Sequence, residues 1–394
     1  MIFPLRRAAL FIALAAALAQ PGVSLARPPV HATTPQLAPA FVEVDQWVGK
    51  AFPGAVLAVG QGTRPPVLKS FGRISSAADA APMPVNAIFD LASLTKVVAT
   101  TTAAALLVDR GRLDLDAPVI RYLPEFGGAP GHQAITVRDL LAHSSGLAPE
   151  AEHWRTARTK QQILDAINIM PVEAPSGTKS VYRDENLILM AEIVSRISGQ
   201  PFDQFVARNI FRPLGMKDTG FNPDPRNLRR IAPTEQDNRL RNRLVHGEVH
   251  DENAWIMGGV AGHAGLFSTA ADLSRLATLW LEGGSFRGRR LMKPETVAQF
   301  MARQHRPETS TRALGWDTPT LPGGFASDLA SPRAILHTGF TGTSIYIDPD
   351  RRAYVILLTN RVNPTRENNE IRPARIAIHK AVLQALDGPA GVSR

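Results

Sequence analysis

The chain has 394 residues, with 44 Lys+Arg against 35 Asp+Glu (a formal net charge of +9) and 44% apolar residues. That length and apolar share leave ample area for a core and exclude a disordered chain. The absence of Cys excludes disulfide scaffolds, thiolate zinc sites, iron–sulfur clusters and cysteine nucleophiles. The basic excess is mostly arginine, 36 Arg to eight Lys, scattered apart from a cluster at Arg226, Arg229, Arg230, Arg239, Arg241 and Arg243. Without a repeat, a zinc finger or an aromatic-laced basic stripe, it reads as a solvated surface, and no nucleic-acid partner is expected.

Arg6 and Arg7 precede an apolar run, Ala8–Ala19, too short to span a bilayer comfortably. Pro21 and Gly22 break it, and Ser24-Leu25-Ala26 offers a small-residue cleavage site. Residues 1–26 therefore follow the order of a secretory signal peptide, which implies a secreted or periplasmic protein with no stable membrane anchor after cleavage. Residues 27–40, rich in Pro, Thr and Ala, read as a flexible tether, and residues 389–394 as a tail.

Two apolar runs, Ala55–Val59 and Val67–Phe71, flank Gln61-Gly62-Thr63-Arg64-Pro65 as a hairpin would. Val97–Val108 is almost wholly apolar or small and stops at Arg110-Gly111, which predicts a buried, central helix. Thr136-Val137-Arg138-Asp139 opens Leu140–His143 as a capping box would. Leu187–Ile197, Pro201–Ile210 and Ala271–Leu281 carry helical periodicity. Ser344–Ile347 and Ala353–Thr359 are β-branched runs joined by the turn Asp348-Pro349-Asp350-Arg351, and Ile376–Leu386 makes a last helix. Strands at both ends with helices between predict an α+β fold. Its sheet part covers residues about 41–135 and 255–388, and an inserted, mostly helical part covers about 136–254.

Ser93-Leu94-Thr95-Lys96 stands at the N-terminal edge of the predicted buried helix, and the i, i+3 spacing puts Ser93 and Lys96 on one face. A serine hydroxyl is a poor nucleophile until a neighbouring base takes its proton. A partly dehydrated Lys near the positive end of a helix has its ammonium form disfavoured and can share that work. The backbone N–H of Ser93 can help hold a developing oxyanion. The alternative is a helix-capping Ser with a surface Lys. The same pattern recurs at Ser176-Gly177-Thr178-Lys179, but in a turn with no helix after it, so position favours Ser93. His246 and His250, with Asp251 or His263, have the makings of a metal site. The glycines between them argue against a ligand-bearing helix, and no metal or cofactor is expected.

Taken together, Ser93-x-x-Lys96, Leu140-Leu141-Ala142-His143-Ser144-Ser145-Gly146-Leu147 and Phe211-Arg212-Pro213-Leu214-Gly215-Met216 resemble the serine β-lactamase/penicillin-binding-protein superfamily. The branch they resemble holds the class C β-lactamase-like hydrolases, including D-alanyl-D-alanine carboxypeptidases and esterases. The resemblance covers residues 41–385 and implies an antiparallel sheet flanked by the terminal helices, beside a helical domain, with the site in the cleft between.

The family's Tyr-x-Asn element is matched by Tyr182-Arg183-Asp184, which implies that Tyr182, as phenolate or through Lys96, moves the proton between Ser93 and the leaving group. Asp184 departs from the pattern. An ionised Asp only accepts hydrogen bonds, so it should hold Lys96 charged, shift the burden of base onto Tyr182 and weaken recognition of an acyl-amide side chain. The Lys-Thr-Gly element is matched by His337-Thr338-Gly339. Gly339 admits substrate close to the strand edge and the Phe340 N–H is the second oxyanion donor. His337 titrates near neutrality, so a substrate carboxylate should be held better in mild acid. Asn360 and Arg361 stand where relatives contact a terminal carboxylate, and Val249–Ala254 with Gly258–Phe267 could line the cleft. The resemblance thus implies a serine hydrolase forming an acyl-enzyme on a small-molecule or peptidoglycan-derived substrate. D-alanyl peptides come first; short esters or β-lactams, and outside the class a non-catalytic wall-binding module, are the alternatives.

Overall fold

Five antiparallel strands make the central sheet of the computed structural model, which describes Met1, Thr33 and residues 36–149, 152–320 and 324–388. The strands are β1 (Gly54–Gln61), β2 (Val67–Gly72), β3 (Ile335–Thr338), β4 (Ser344–Asp348) and β5 (Ala353–Thr359), in the order β3-β4-β5-β1-β2. The first and last parts of the chain thus share one sheet, with β1 beside β5 in a register that sets Ala55 opposite Thr359 and Gln61 opposite Ala353. The predicted hairpin is β1–β2.

The central strands are buried on both faces, and their period of two divides their side chains between two cores. Val56, Ala58, Ile345, Ile347, Tyr354, Ile356 and Leu358 point into the larger core with the helices. Ala55, Leu57, Val59, Tyr346, Val355 and Leu357 point into a second core closed by the terminal helices, α1 (Ala38–Trp47) and, last in the chain, α5 (Ile371–Asp387). Because α1 already starts at Ala38, the expected tether up to residue 40 is too long by its last three residues. The leader reading of residues 1–26 and the tail at 389–394 lie outside the described residues, Met1 aside. Among the described residues no helix is long and apolar enough to cross a membrane.

Three further helices place the site: α2 (Thr102–Asp109), α3 (Asp184–Ser198) and α4 (Ala270–Leu281). A π-helical turn, Lys96–Thr101, leads into α2 with every residue buried. The predicted all-apolar helix therefore exists, but its first turns are wound wider than an α-helix. Thr136 caps Val137–Leu141 in a full capping box with Asp139. A small sheet, Leu266–Ser268 between Phe89–Asp90 and Gly220–Phe221, delivers the chain to Ser93.

The second core holds a buried base. His379 on α5 is 0% exposed, donates from Nδ1 to Arg375 O (2.8 Å) and meets Phe325 edge-on. Burial pushes it down from 6.5 to about 4. The unfolded chain protonates this His near pH 6.5 and the fold does not, so its contribution to stability is lost as pH falls from about 6.5 to about 4. At about 1.4 kcal/mol per pK unit the loss reaches about 3 kcal/mol. Carboxylates such as Glu235 and Asp237, held down to about 2, act only in the lower window beneath 4.5 and 3.8. We therefore expect the Tm of the wild type to fall between pH 7 and 4.5 by more than that of His379→Phe. Equal falls in the two proteins would refute this account.

Candidate active site

Ser93 is set by local backbone chemistry. Two residues beyond the strand Phe89–Asp90 the chain turns at Ala92, whose φ of +45° is an uncommon conformation for alanine. The buried Asp90 carboxylate holds this bend by accepting from Ala92 N (2.8 Å) and His250 N (2.7 Å). The chain then enters its helix, and Lys96 follows one turn later.

Lys96, 0% exposed, donates from Nζ to Ser93 Oγ (2.8 Å) and His263 O (3.1 Å) and pairs with Asp184 Oδ1 at 2.6 Å. Tyr182 lies with its ring centroid 4.8 Å from Nζ, so that the ammonium faces the ring, and it lines both cavities beside Ser93. The structure thus brings Ser93, Lys96, Tyr182 and Asp184 into one contact group from two distant stretches of the chain, 93–96 and 182–184.

The charge states differ from part of the expectation. Burial alone would lower Lys96, but the Asp184 carboxylate outweighs it and raises the pKa, so the ammonium is favoured and not disfavoured. Burial raises Tyr182, against the pull of Lys96, so its resting form is the neutral phenol and not the phenolate. His337 is 4% exposed, and burial together with the Lys96 and Arg312 cations pushes it down to about 3. It stays neutral throughout mild acid, so the expected strengthening of carboxylate binding below neutrality has no basis there.

Behind Asp184 the charge chain continues. His263 Nε2 meets Asp251 Oδ1 at 3.0 Å. Burial opposes the charged form of His263, but Asp251 and Asp184 outweigh it and raise its pKa. Asp184, Asp251 and His263 offer ligand atoms within 4.8 Å of one another, a spacing that a cation can bridge, yet the Lys96 ammonium already supplies positive charge at Asp184. His246 is elsewhere, on Leu228 O and Ile231 O.

The opposite wall is the turn after β3. Gly339 fits only as glycine, since a Cβ would stand 2.1 Å from Thr343 Oγ1 and 2.4 Å from Leu91 O. Two hydroxyls tie this turn to the Ser93 segment: Thr341 Oγ1 donates to Asp90 O (2.7 Å) and Thr343 Oγ1 to Leu91 O (3.0 Å). Neither the Ser93 nor the Phe340 N–H is hydrogen-bonded among the described residues. Ser93, Tyr182 and Phe340 line two adjoining cavities of about 370 and 410 Å³. The first adds Trp154, His250, Asp251 and Asn253, so the segment after Val249 does line the cleft. The second adds His337, Thr338, Gly339 and the arginines 312, 361, 372 and 375.

Asn360 is misplaced by the expectation. It is 1% exposed and donates its amide to Ile74 O (2.9 Å) and Pro233 O (3.1 Å), stapling two loops away from the cavities, while Arg361 lines one. Sequence reasoning passed over His143, which stacks on Tyr182 (4.6 Å between ring centroids) and accepts from Arg183 N, and over Arg312 and Arg375. A signal for Arg375 was present: an arginine inside the apolar period of a helix that must bury one face.

Chemically, the group can pass a serine proton along tyrosine and lysine to a carboxylate, next to two unengaged N–H donors. Against known proteins, the profile of the family described as Beta-lactamase matches residues 37–380. A protein of Salmonella enteritidis PT4 named "Putative D-alanyl-D-alanine carboxypeptidase" is 34% identical over 320 residues, 73% of this chain and 72% of its own length. A penicillin-binding protein homologue from Caulobacter crescentus superposes with a TM-score of 0.68 at 22% identity, over 88% of this chain and 97% of that one. EstCE1, a hydrolase with promiscuous acyltransferase activity, superposes with a TM-score of 0.69 at 19% identity, over 89% of this chain and 99% of that one. These two structural likenesses speak for the fold alone.

Proposed function

The chain belongs to the beta-lactamase family of serine hydrolases, and from that premise we propose that it forms an acyl-enzyme on Ser93 and acts on peptidoglycan-type D-alanyl peptides outside the cytoplasm. The observation that carries this reading is Lys96 Nζ standing 2.8 Å from Ser93 Oγ and 2.6 Å from Asp184 Oδ1, with the Tyr182 ring centroid 4.8 Å from Nζ.

Lys96 and Tyr182 both start protonated, so the Ser93 proton leaves only if the chain of groups passes one on. Asp184 is the acceptor at its far end. As Ser93 Oγ bonds to the substrate carbonyl carbon, its proton moves to Tyr182 Oη, that of Tyr182 to Lys96 Nζ, and one from Lys96 to Asp184. The negative oxygen formed on the substrate is held by the Ser93 and Phe340 N–H groups. The same protons run back through Tyr182 to the leaving amine, its bond to the carbonyl carbon breaks, and water later releases the acyl group by the same route.

Three observations support the substrate class. Relatives with the name quoted above are about a third identical to this chain over the 320 residues that align. Arg312 and Arg372 on the second cavity suit a terminal carboxylate. The leader-like pattern of residues 1–26 suits a substrate outside the cytoplasm. A second reading, hydrolysis of short esters, is favoured by Asp184, which has no amide donor for a peptide carbonyl.

Treatment with a fluorescent penicillin or a fluorophosphonate is expected to add the reagent's mass to the peptide bearing Ser93 and to leave Ser93→Ala unlabelled. Label that persists in Ser93→Ala overturns the nucleophile. Turnover of a D-Ala-D-Ala peptide above that of nitrocefin and p-nitrophenyl acetate supports the substrate class; the reverse order favours the ester reading.

A further inference from the structure

Arg375 is out of keeping with its surroundings. It stands in the second turn of α5, 8% exposed, and among the described residues no carboxylate pairs with it. A cation near the positive end of a helix is unfavourable, and an unpaired buried one more so. Burial and the nearby Arg361 push its guanidinium down to about 9. Its Nη2 donates to Gly339 O (2.7 Å) and Thr343 O (2.9 Å), and its Nε is buried without a partner. Gly339 O also accepts from Gly342 N (3.1 Å). Next to it, Arg361 Nε donates to Phe340 O (2.7 Å) and its guanidinium covers the Phe340 ring at 4.3 Å.

Gly339 C=O and Phe340 N–H belong to one planar peptide unit. Hydrogen bonds in series polarise one another, so a cation on the oxygen of a peptide makes its N–H a stronger donor. We infer that Arg375 is a positioning residue for oxyanion stabilisation: it fixes and polarises the Gly339–Phe340 peptide, strengthening the Phe340 N–H toward negative charge formed on the substrate. The inference rests on the reading of Ser93 and Phe340 given above. It accounts for a residue that the fold alone would replace with an apolar one, since the helix pattern around it is that of a core-facing surface. The absence of a counter-ion then has a purpose, because a carboxylate beside Arg375 would cancel the field that the peptide receives.

The rival explanation is that Arg375 waits for an anionic group of the substrate. The two are separated by a substrate without any anion. With p-nitrophenyl acetate, and with kcat normalised to the fraction titrated by fluorophosphonate, Arg375→Gln is expected to lower kcat about tenfold with KM changed less than twofold. That is a part of the about 10²- to 10³-fold that loss of a whole oxyanion donor costs. A D-Ala-D-Ala peptide should lose the same factor, Arg375→Lys should recover most of it, and affinity for a boronic acid that mimics the tetrahedral state should fall in parallel. The Tm of Arg375→Gln should be unchanged or raised.

A loss confined to the acidic peptide and seen in KM overturns the inference in favour of anion binding. An unchanged kcat on the ester overturns it outright, and so does a lowered Tm whose loss of activity disappears on normalisation. Labelling that survives in Ser93→Ala strikes the underlying reading instead, so the two failures are told apart.

Discussion

Replacing Lys96 by methionine is expected to slow acylation of the proposed nucleophile Ser93 by about 10³- to 10⁴-fold, at the upper end of what proton transfer by a positioned group supplies. Methionine fills much the same volume but neither donates to Ser93 nor carries a proton between Tyr182 and Asp184. It also leaves Asp184, whose side chain is 10% exposed, beside a neutral thioether in place of an ammonium 2.6 Å away. Breaking such a pair from one side costs about 3 kcal/mol or more. The rate and stability effects separate in the double variant Lys96→Met/Asp184→Asn, which also removes the carboxylate charge that faced the ammonium. It should regain most of the lost Tm and none of the lost acylation rate, as read by stopped-flow labelling. Tyr182→Phe added to Lys96→Met should slow the reaction little further, because groups that act as one relay do not add. A multiplicative double loss would mean that Tyr182 and Lys96 serve separate steps.

The second large effect is expected at Gly262. A Cβ there would stand 1.9 Å from Leu187 O and 2.7 Å from the Ala191 Cβ, both on α3, so no side-chain rotation relieves the contact. The segment has to back away from the helix. It then loses Thr100 Oγ1 on Gly262 O (2.6 Å) and Lys96 Nζ on His263 O (3.1 Å). We expect Gly262→Ala to lose about 3 kcal/mol of stability, the upper range for overpacking, and to lower kcat with it. Gly258→Ala is the control: its φ of +82° strains alanine, but no atom lies within 4 Å of the added methyl. It should lose only about 1–2 kcal/mol and leave kcat nearly untouched. Equal Tm losses for the two variants would show that the contact with α3 costs no more than a strained turn at Gly258, and would refute this account.

The parts of the fold that were legible in the sequence are those where one local pattern decides. Strand β5 appears with the bounds that its apolar, β-branched run and flanking turns give, because every residue of it is buried and no competing signal interrupts it. The last helix begins five residues before the expected Ile376, since Arg372, Pro373 and Arg375 break the apolar period; two of these line the cleft instead of packing in the core. The hold of Asp184 on Lys96 was legible, for it needs only the chemistry of two groups brought into contact. The state of His337 was not, because it depends on burial and on cations contributed by Lys96 and Arg312 from distant parts of the chain. Asn360 was misread through parity. It directly follows Thr359 at the end of β5, and its side chain leaves on the side of Ile74 and Pro233 while that of Arg361 leaves on the other.

The two threonine hydroxyls between the β3 turn and the Asp90–Leu91 segment have a mechanical consequence. They tie the serine segment to the Phe340 donor, while Lys96 ties the serine to Asp184 on α3 at 2.6 Å and Trp154 stands across the first cavity. The attacking oxygen, the relay and the donor that receives the charge are thus held as one unit, whereas the wall bearing Trp154 bounds the room available to a bulky acyl group. Substitutions that widen the cavity at Trp154 should retune substrate size while the geometry of bond making stays as it is. Reach and reactivity are thus adjustable separately in this chain.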